Sequence, residues 1–322
     1  MTNLIPPVLK WPGSKRAMAE QLSQMAPKSE RLIDPFVGGG SMLASVQRPG
    51  AVAGDVIPEL IQLWEEIRDR PDQLATAYQQ RWERLQLQGH TAYYDIRESF
   101  NRTRDPADFL FLTRTCVNGL VRFNTKGDFN NSLHHTRPGV HPVTLRATIL
   151  MWSKLVARTS FVCADYRETL SGAGPQDFVF LDPPYGGTRG RYLAVGIDQQ
   201  DFYEELERLN RRGIRWMLTF DGEAGGRVYS SAPPADLYRH RFEIANGNSP
   251  FTRLMKTSLD AVRETVYLNY DVPGEMPRQQ WQDVTDQRAR RPRHDVDDNT
   301  LNFWEELAAD REIEGAVLQK VR

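Results

Sequence analysis

Four short apolar segments, each ending at an aspartate, constrain the fold of this chain more than any other feature of its sequence. The segments are residues 31–34, 51–55, 161–165 and 178–182. Their length and their stops at turn formers or polar residues predict buried β-strands. In a doubly wound sheet the ligand crevice lies beyond the carboxyl ends of the strands, so we expect the four carboxylates to converge on one site. Residues 215–221 repeat the pattern, and residues 264–270 predict a further strand.

A different pattern separates the second predicted strand from the third. Residues 58–68 and 72–87 are amphipathic and predict helices, and a polar, turn-rich stretch follows at 118–142. We therefore interpret residues 58–159 as an insertion into the sheet-forming part of the chain. The other predicted units are a sheet-forming domain made of residues 1–57 and 160–272, and a C-terminal extension of unknown role at 273–322 that contains a helix at 300–321.

Composition narrows the class of protein. With 322 residues, of which 40% are hydrophobic, the chain can bury one large core and a smaller second domain. Cys116 and Cys163 show no metal-ligand spacing, and no window approaches the roughly 20 apolar residues of a membrane span. These features predict a cytoplasmic protein with no membrane contact and no bound metal.

Charge is distributed unevenly along the chain. The formal net charge of -1 argues against a uniformly basic binder of polyanions, but residues 111–160 contain seven basic residues and one acid. That stretch either faces phosphates or forms an ordinary solvated surface, and charge alone leaves both interpretations open.

A glycine-rich turn follows the first predicted strand. Residues 34–40 read DPFVGGG and lead into a predicted helix at Ser41, where glycines let the backbone approach a ligand and expose amide groups. Such turns also serve ordinary tight packing, and the G-x-G-x-x-G spacing of dinucleotide sites is absent from these residues. Asp55 ends the next strand, where a carboxylate can accept hydrogen bonds from ribose hydroxyls. Together the two features indicate an adenosine-containing ligand without a pyrophosphate.

The most specific feature is Asp182-Pro183-Pro184-Tyr185, directly after an apolar strand. Two prolines fix the backbone and remove two amide donors, so the strip presents acceptors that suit an amino group. Asp182 and the Pro183 carbonyl can accept both protons of an exocyclic base amine and localise its lone pair, while Tyr185 stacks on the base. The alternative is a surface turn with a capping aspartate.

Five motifs in this order resemble those of the Dam-like (D12 class) DNA N6-adenine methyltransferases. They are KWPGSK at 10–15, DPFVGGG at 34–40, Asp55, CADY at 163–166 and DPPY at 182–185. The resemblance implies an α/β, Rossmann-like S-adenosylmethionine-dependent methyltransferase fold with an inserted, mainly helical DNA target-recognition domain. It also implies methyl transfer to a flipped-out adenine in double-stranded DNA, with a GATC-like site as the default.

The resemblance also assigns the cofactor contacts. They fall to Trp11, Lys15, Asp34, Phe36, Gly38, Gly40, Asp55, Asp165, Tyr166 and Asp182. Lys15 would pair with the methionine carboxylate, Asp55 would hold the ribose, and Asp165 with Tyr166 would hold the cofactor adenine. Trp11 has a second interpretation as a core aromatic, and Asp165 has one as a helix N-cap.

DNA contacts are assigned within the insertion and beside it. They fall to Lys10, Asn118, Leu120, Arg122, Asn124, Lys126 and Arg137. Arg122 matches an arginine that reads guanine, although a phosphate contact is the alternative. The sequence departs from the family at Val117, where a tyrosine is usual, and at Asn131-Ser132, where valine-proline is usual.

Three alternatives remain at this stage. The enzyme could methylate another planar amine, such as cytosine N4, RNA adenine or a glutamine amide, although Asp182 favours adenine. A catalytically silent DNA-binding regulator could keep the fold. A housekeeping, phage or restriction-modification role is open, with a cognate restriction endonuclease as an optional partner in the bacterial, archaeal or phage setting.

Overall fold

The strands of the sheet lie where the apolar segments of the sequence predict them. A computed structural model describes residues 5–134, 136, 139–184, 197–224, 227–228, 232–245 and 263–272. The described strands are β1 (Leu32–Asp34), β2 (Val52–Asp55), β3 (Ser160–Cys163), β4 (Phe178–Leu181), β5 (Arg215–Ala224), β6 (Arg227–Val228), β7 (His240–Ala245) and β8 (Arg263–Leu268). Their order is β3-β2-β1-β4-β5-β8-β7, with β6 paired to β5. The six strand predictions are confirmed to within two residues at most ends, and the chain folds as a mixed α/β protein.

The described helices alternate with the first five strands. They are α1 (Ala19–Met25), α2 (Ser41–Val46), α3 (Pro58–Asp69), α4 (Pro71–Gln88), α5 (His90–Thr103), α6 (Pro106–Thr115), α7 (Pro142–Val156), α8 (Tyr166–Ser171) and α9 (Gln199–Arg211). Within the described ranges no helix is long and apolar enough to cross a membrane. The helix predicted at 300–321 and the extension at 273–322 lie outside the described residues.

The sheet has a parallel part and an antiparallel part. β3, β2, β1, β4 and β5 pair in parallel, whereas β8 pairs antiparallel with both β5 and β7. Parallel strands are covered by helices on both faces and therefore read as continuous apolar runs. β4, with the sequence FVFL, is buried at all four positions. The carboxyl ends of the parallel strands share one edge of the sheet, and this edge carries the loops discussed below.

Two helical layers enclose the parallel strands. Leu170 of α8 and Leu206 of α9 pack with Val179 of β4 in one buried cluster, against which Val52 of β2 also packs. On the other face Trp64 of α3 stacks on Phe161 of β3, with ring centroids 5.8 Å apart. Successive strand residues face opposite sides, and Phe161 is in register with Ala53 beside Val52. The two layers therefore lie on opposite faces.

Helices α3 to α7 separate β2 from β3 in the sequence. α3, α4, α6 and α7 each have proline in the first turn, where the missing amide proton costs nothing. Asp105 caps α6 by accepting from the Ala107 and Asp108 amides, and Arg81 of α4 reaches Asp108 at 2.5 Å. The predicted helices at 58–68 and 72–87 correspond to α3 and α4.

A hairpin connects α6 to α7 and occupies the predicted turn-rich stretch. Isolated bridges pair Cys116 with Leu133 and Phe123 with Phe129. Asn101 of α5 fixes the hairpin to the helices, because its side chain accepts from the Phe129 amide at 2.7 Å and donates to the Phe129 carbonyl at 3.1 Å. We call residues 116–133 the 116–133 hairpin.

Candidate active site

Three of the four predicted carboxylates meet at the carboxyl edge of the sheet. Asp34 ends β1, Asp55 ends β2, and Asp182 follows β4 directly, and β1 lies between the other two strands. Burial raises the pKa of Asp34 to about 8; the Phe36 amide opposes this rise, and the charges of Asp182 and Asp55 add to it. The sequence-predicted convergence is thus found for these three residues.

Asp165 occupies a different position from the one predicted. β3 ends at Cys163 rather than at residue 165, so Asp165 does not end a strand. Its Oδ1 accepts from the Arg167 amide at 3.0 Å and from the Arg167 Nε at 2.8 Å, which makes it the N-cap of α8. The N-cap interpretation is therefore observed, and a contact between Asp165 and a cofactor stays a prediction.

The glycine loop, Trp11 and Asp55 form one continuous surface. Gly38 has a φ of +44°, and a Cβ there would lie 2.7 Å from Cδ1 of Trp11, so the indole lies directly against the backbone. The Gly38 amide donates to Asp55 Oδ2 at 3.4 Å, and the Ile57 amide donates to Oδ1 at 3.1 Å. Burial raises the pKa of Asp55 to about 6, and these amides oppose the rise. The amides of Gly38 and Ile57 therefore orient the Asp55 carboxylate beside the loop.

Gly40 has a packing role as well. Its φ is +72°, and a Cβ would meet the Trp64 ring at 2.8 Å and the Trp152 ring at 3.1 Å. Trp64 also donates from Nε1 to the Gly38 carbonyl at 3.0 Å. Tight packing was the alternative interpretation of this glycine run, and it accounts for Gly40. Gly38 instead lies against Trp11.

An aromatic group lies beside the loop. The Phe36 ring stacks on Tyr166, with centroids 5.8 Å apart and planes 28° apart, and Tyr166 contacts Phe202 edge-on at 5.6 Å. Tyr166 is 5% exposed, and burial raises its pKa to about 12. Of the predicted cofactor aromatics, Tyr166 is therefore buried and Phe36 is partly buried against it.

Lys15 lies between two carboxylates at the same edge of the sheet. Its Nζ is 2.7 Å from Asp182 Oδ1, 2.6 Å from Glu264 Oε1 and 3.3 Å from the Gly13 carbonyl. The Lys15 side chain is 5% exposed and that of Glu264 is 2% exposed. Burial works to lower the pKa of Lys15, but the two carboxylates outweigh it and the pKa is raised. We call Lys15, Asp182 and Glu264 the Lys15 bridge.

Two residues of this site escaped the sequence analysis. Thr219 of β5 is fully buried and donates from Oγ1 to Asp182 Oδ1 at 3.0 Å. Glu264 begins an apolar strand near the end of the described chain. A single carboxylate within an apolar strand is the one signal for Glu264 in the sequence, and it does not identify Lys15 as the partner.

The predicted catalytic strip is described in part. Asp182 is 17% exposed in its side chain, Pro183 is buried and Pro184 is partly buried. Thr219 and Lys15 both contact Oδ1 of Asp182, which fixes the carboxylate plane. Tyr185 lies outside the described residues.

The predicted DNA contacts cluster on the 116–133 hairpin and beside it. Asn118, Arg122 and Lys126 are exposed, whereas Leu120 and Asn124 are partly buried. Lys10 packs on the hairpin, since a Cβ at Gly119 would lie 2.6 Å from its Cδ. Arg137 lies outside the described residues.

Hydrogen bonds hold the polar residues of the hairpin in place. Arg122 donates from Nε to Asn130 Oδ1 at 2.7 Å. Asn124 Oδ1 accepts from the Lys126 amide at 2.8 Å and the Asp128 amide at 2.9 Å, which closes the turn. Lys126 is left at the tip with its side chain in solvent.

Asn131 supports the loop that precedes the turn. Its Nδ2 donates to the Val117 carbonyl at 2.9 Å and to the Leu120 carbonyl at 2.8 Å, and its own carbonyl accepts from the Tyr93 hydroxyl at 3.0 Å. Asn131 is 9% exposed. At this departure from the family pattern, a buried amide thus supplies the hydrogen bonds that hold the 117–120 segment.

A cavity of about 510 Å³ opens at the opposite edge of the sheet, near Arg215 and Asp271. Its wall contains Asn269, whose Nδ2 donates to Asn210 Oδ1 and to the Ile214 carbonyl, both at 2.8 Å. These amides are bonded to each other and to the backbone. We therefore place the candidate active site at the carboxyl edge, where the carboxylates and the lysine meet, and not in this cavity.

Comparison with known proteins agrees with the motifs. A sequence model of the family described as D12 class N6 adenine-specific DNA methyltransferase matches residues 11–248. The chain is 30% identical over 211 residues to the retron Ec67 DNA adenine methylase of Escherichia coli. The aligned region covers 64% of this chain and 72% of that protein.

Two other relatives are matched over smaller shares of their length. The DNA N-6-adenine-methyltransferase of Escherichia phage P1 is 30% identical over 228 residues, 67% of this chain and 30% of the relative. The DNA adenine methylase of Vibrio cholerae serotype O1 is 30% identical over 181 residues, 55% of this chain and 64% of the relative. The aligned segments therefore span less than two thirds of these two proteins.

Proposed function

The chain belongs to the D12 class N6 adenine-specific DNA methyltransferases, and from this premise we propose that it transfers a methyl group from S-adenosylmethionine to N6 of an adenine flipped out of duplex DNA. The observation that carries the proposal is the fixed carboxylate of Asp182. It follows the central strand β4, its Oδ1 contacts both Lys15 and Thr219, and a buried proline comes next.

For the fold, we propose a Rossmann-like methyltransferase domain made of residues 1–57 and 160–272. Residues 58–159 form the inserted target-recognition domain in this proposal. Its support is the run of helices α3 to α7 between β2 and β3, and the exposed polar hairpin that this run carries. Trp64 of α3 packs on Phe161 of β3, and Trp152 of α7 packs on Trp64, so the base of the insertion lies against the sheet.

The glycine loop fits S-adenosylmethionine. Trp11 lies against Gly38 closely enough to leave no space for a Cβ there, and Asp55 is oriented by the amides of Gly38 and Ile57. We propose that Asp55 accepts from the ribose hydroxyls and that Trp11, Phe36 and Tyr166 contact the rest of the cofactor. Lys15 is proposed to pair with the methionine carboxylate. The proposed set is completed by Asp34, Gly38, Gly40, Asp165 and Asp182. When bound, S-adenosylmethionine supplies an activated methyl group on a sulfonium centre.

The chain's own residues prepare the nucleophile. An adenine amine reacts poorly because its lone pair is delocalised into the ring. In the proposed mechanism, Asp182 and the Pro183 carbonyl each accept one amine hydrogen bond, which localises the lone pair and aims it at the methyl group. Lys15 and Thr219 hold the Asp182 carboxylate in place, since both contact its Oδ1. Tyr185 is proposed to stack on the base.

For target recognition, we propose that the exposed residues of the 116–133 hairpin enter the DNA groove. Arg122 is oriented by Asn130, and a guanidinium fork suits the O6 and N7 acceptors of guanine. Lys10 is proposed to lie beside the extruded base, and Asn118, Leu120, Asn124, Lys126 and Arg137 complete the surface. A GATC-like site is the default target, and a cognate restriction endonuclease is an optional partner.

The test is to express the wild type and Asp182→Ala in a bacterial host that lacks DNA methylation, and to sequence the genome by a method that detects N6-methyladenine. We expect a motif-specific mark from the wild type that the variant does not make. Asp236→Ala, at an exposed position away from the site, is the matched control and should leave the mark intact. No mark from folded wild type would favour the silent DNA-binding protein or the RNA methyltransferase.

A further inference from the structure

Glu264 is a buried acid that the proposed mechanism does not use. It lies on β8, in the antiparallel part of the sheet, and is 1% exposed. A carboxylate is rarely buried this deeply without a cation, and its cation here is Lys15, 2.6 Å away. Lys15 in turn is 2.7 Å from Asp182. β8 thus reaches the proposed catalytic strip through one ammonium group.

The geometry around Lys15 is that of an ammonium shared among three acceptors. An ammonium has three protons, and Asp182, Glu264 and the Gly13 carbonyl surround Nζ. Such a network adds little to the stability of the fold, because a buried ion pair gains little folding free energy over apolar residues that fill the same space. Its position beside the catalytic strip suggests a role in the reaction.

We propose that Glu264 is a positioning residue for methyl transfer: it shares the Lys15 ammonium with Asp182, and so leaves Asp182 strong enough as an acceptor to bind the target amine. This inference rests on the proposed function. With Glu264 present, the positive charge of Lys15 is divided between two carboxylates. Without it, the full charge falls on Asp182, which becomes a weaker acceptor for the amine.

A purely structural Glu264 would behave differently. If it served only to fill and neutralise the core, its loss would lower the folded fraction and cofactor binding together with the rate. If it positions Lys15 and tunes Asp182, its loss lowers the rate of methyl transfer while cofactor binding persists. Glu264 is not among the proposed cofactor contacts, and Lys15 keeps its contacts with Asp182 and the Gly13 carbonyl when Glu264 becomes glutamine. Cofactor binding and rate can therefore be separated.

The experiment compares Glu264→Gln with Glu243→Gln in the full-length protein. Glu243 lies on the neighbouring strand β7, in an exposed pair with Arg241 at 3.2 Å, and provides the same substitution outside the site. The measurements are the single-turnover rate on duplex DNA that carries the wild-type target motif, the Kd for S-adenosylhomocysteine by calorimetry, and the thermal midpoint.

We expect the rate of Glu264→Gln to fall roughly 100-fold, the lower end of the cost of losing one pre-organised electrostatic partner. The Kd for S-adenosylhomocysteine should stay close to wild type, and Glu243→Gln should match the wild type throughout. Glu264→Asp keeps the charge but shortens the side chain, so it should recover part of the rate. If Glu264→Gln does not fold, Glu264→Asp carries the test, with a reduced rate and retained cofactor binding as the expected result.

Two outcomes overturn the inference, and both differ from failure of the proposed function. A wild-type rate in folded Glu264→Gln would show that Asp182 does not need the shared ammonium. Parallel losses of rate, cofactor binding and folded fraction would assign Glu264 to stability alone. By contrast, wild-type protein that methylates no DNA and binds no S-adenosylhomocysteine would overturn the proposed function itself.

Discussion

The carboxyl edge of the sheet and the 116–133 hairpin are both polar, but they are held in opposite ways. At the edge, Lys15 and Glu264 are almost wholly buried and are held by charge. On the hairpin, Arg122 and Lys126 are exposed. The neutral amide of Asn130 contacts the Arg122 side chain, and those of Asn124 and Asn131 hold the backbone. Buried charges interact strongly and are little screened by salt, whereas exposed charges are screened. The proposed chemistry therefore lies where water is largely excluded, and the proposed DNA contact lies where ions can exchange with solvent.

The largest expected effect comes from removing the cation at the buried edge. Lys15→Met leaves Asp182 and Glu264 as buried carboxylates without this ammonium, and breaking such a pair costs roughly 3–5 kcal/mol. Urea unfolding should show this loss of stability. Lys126→Met, the same substitution on the exposed hairpin, should change the free energy of unfolding by less than about 0.5 kcal/mol. Equal losses of unfolding free energy from the two substitutions would contradict the difference between the buried edge and the exposed hairpin.

On the hairpin, the largest effect should come from a neutral residue. Asn131→Leu has a similar volume but leaves the Val117 and Leu120 carbonyls without the amide donor they now contact, at a cost of roughly 2 kcal/mol. DNA affinity should fall because the 117–120 segment loses its support. Ser132→Ala, at an exposed neighbour, is the control in the same unfolding and DNA-binding titrations. Unchanged affinity in a folded Asn131→Leu protein would contradict this role.

The Arg122→Ala variant distinguishes two roles for this exposed side chain on the hairpin, a guanine contact and a phosphate contact. A guanine contact predicts that discrimination against a changed base falls by roughly 1–3 kcal/mol at one position of the target. A phosphate contact predicts equal weakening on all sequences, with the salt slope of DNA binding reduced by about 1. Fluorescence anisotropy on the target and on single-base variants, over a range of salt concentrations, separates them. The control is Lys126→Ala, for which we expect the phosphate pattern.

Measured per pH unit, the smallest effect is a change in the pH dependence of stability. Burial raises the pKa of Asp34 from 3.8 to about 8. A carboxyl group with a raised folded pKa contributes stability below its unfolded pKa and loses that contribution as pH rises through the folded value. The wild type should therefore lose stability between about pH 4 and about pH 8, by at most roughly 1.4 kcal/mol per pH unit for this group. Asp34→Asn should flatten the slope measured by urea unfolding, and an unaltered slope would contradict the assignment.

The parallel strands could be predicted from the sequence because their environment is uniform. β4 is buried on both faces and reads as an uninterrupted apolar run, and the aspartates after β1, β2 and β4 then fall together by topology alone. β7 was not predicted, because HRFEIA mixes charged and apolar residues and acquires its strand form by pairing with β8. The end of the third strand was wrong by two residues, since the Asp165 cap begins α8 immediately.

The contacts of the candidate site were less predictable than its positions. Local motifs contain Asp182, Asp55 and Trp11, and each of these could be identified from a few neighbouring residues in the sequence. Glu264 and Thr219 act through contacts with Lys15 and Asp182 that join distant parts of the chain, and no local pattern distinguishes them from other polar residues in apolar strands. Long-range partners of this kind depend on strand order, which single-sequence patterns do not specify.

The Lys15 bridge also sets an order of events during synthesis. The ribosome delivers a chain from its N-terminus, so Lys15 emerges first, Asp182 much later and Glu264 last of the three. The Tyr270 hydroxyl, just beyond Glu264, donates to the Met25 carbonyl of α1 at 3.0 Å, so the late strand also secures the first helix. A nascent chain whose glycine loop and proposed catalytic strip have left the ribosome still lacks Glu264, the acid that shares the Lys15 ammonium. If Glu264 has the proposed role, catalytic competence therefore arrives only with β8. A prematurely terminated product would carry the motifs without the complete site.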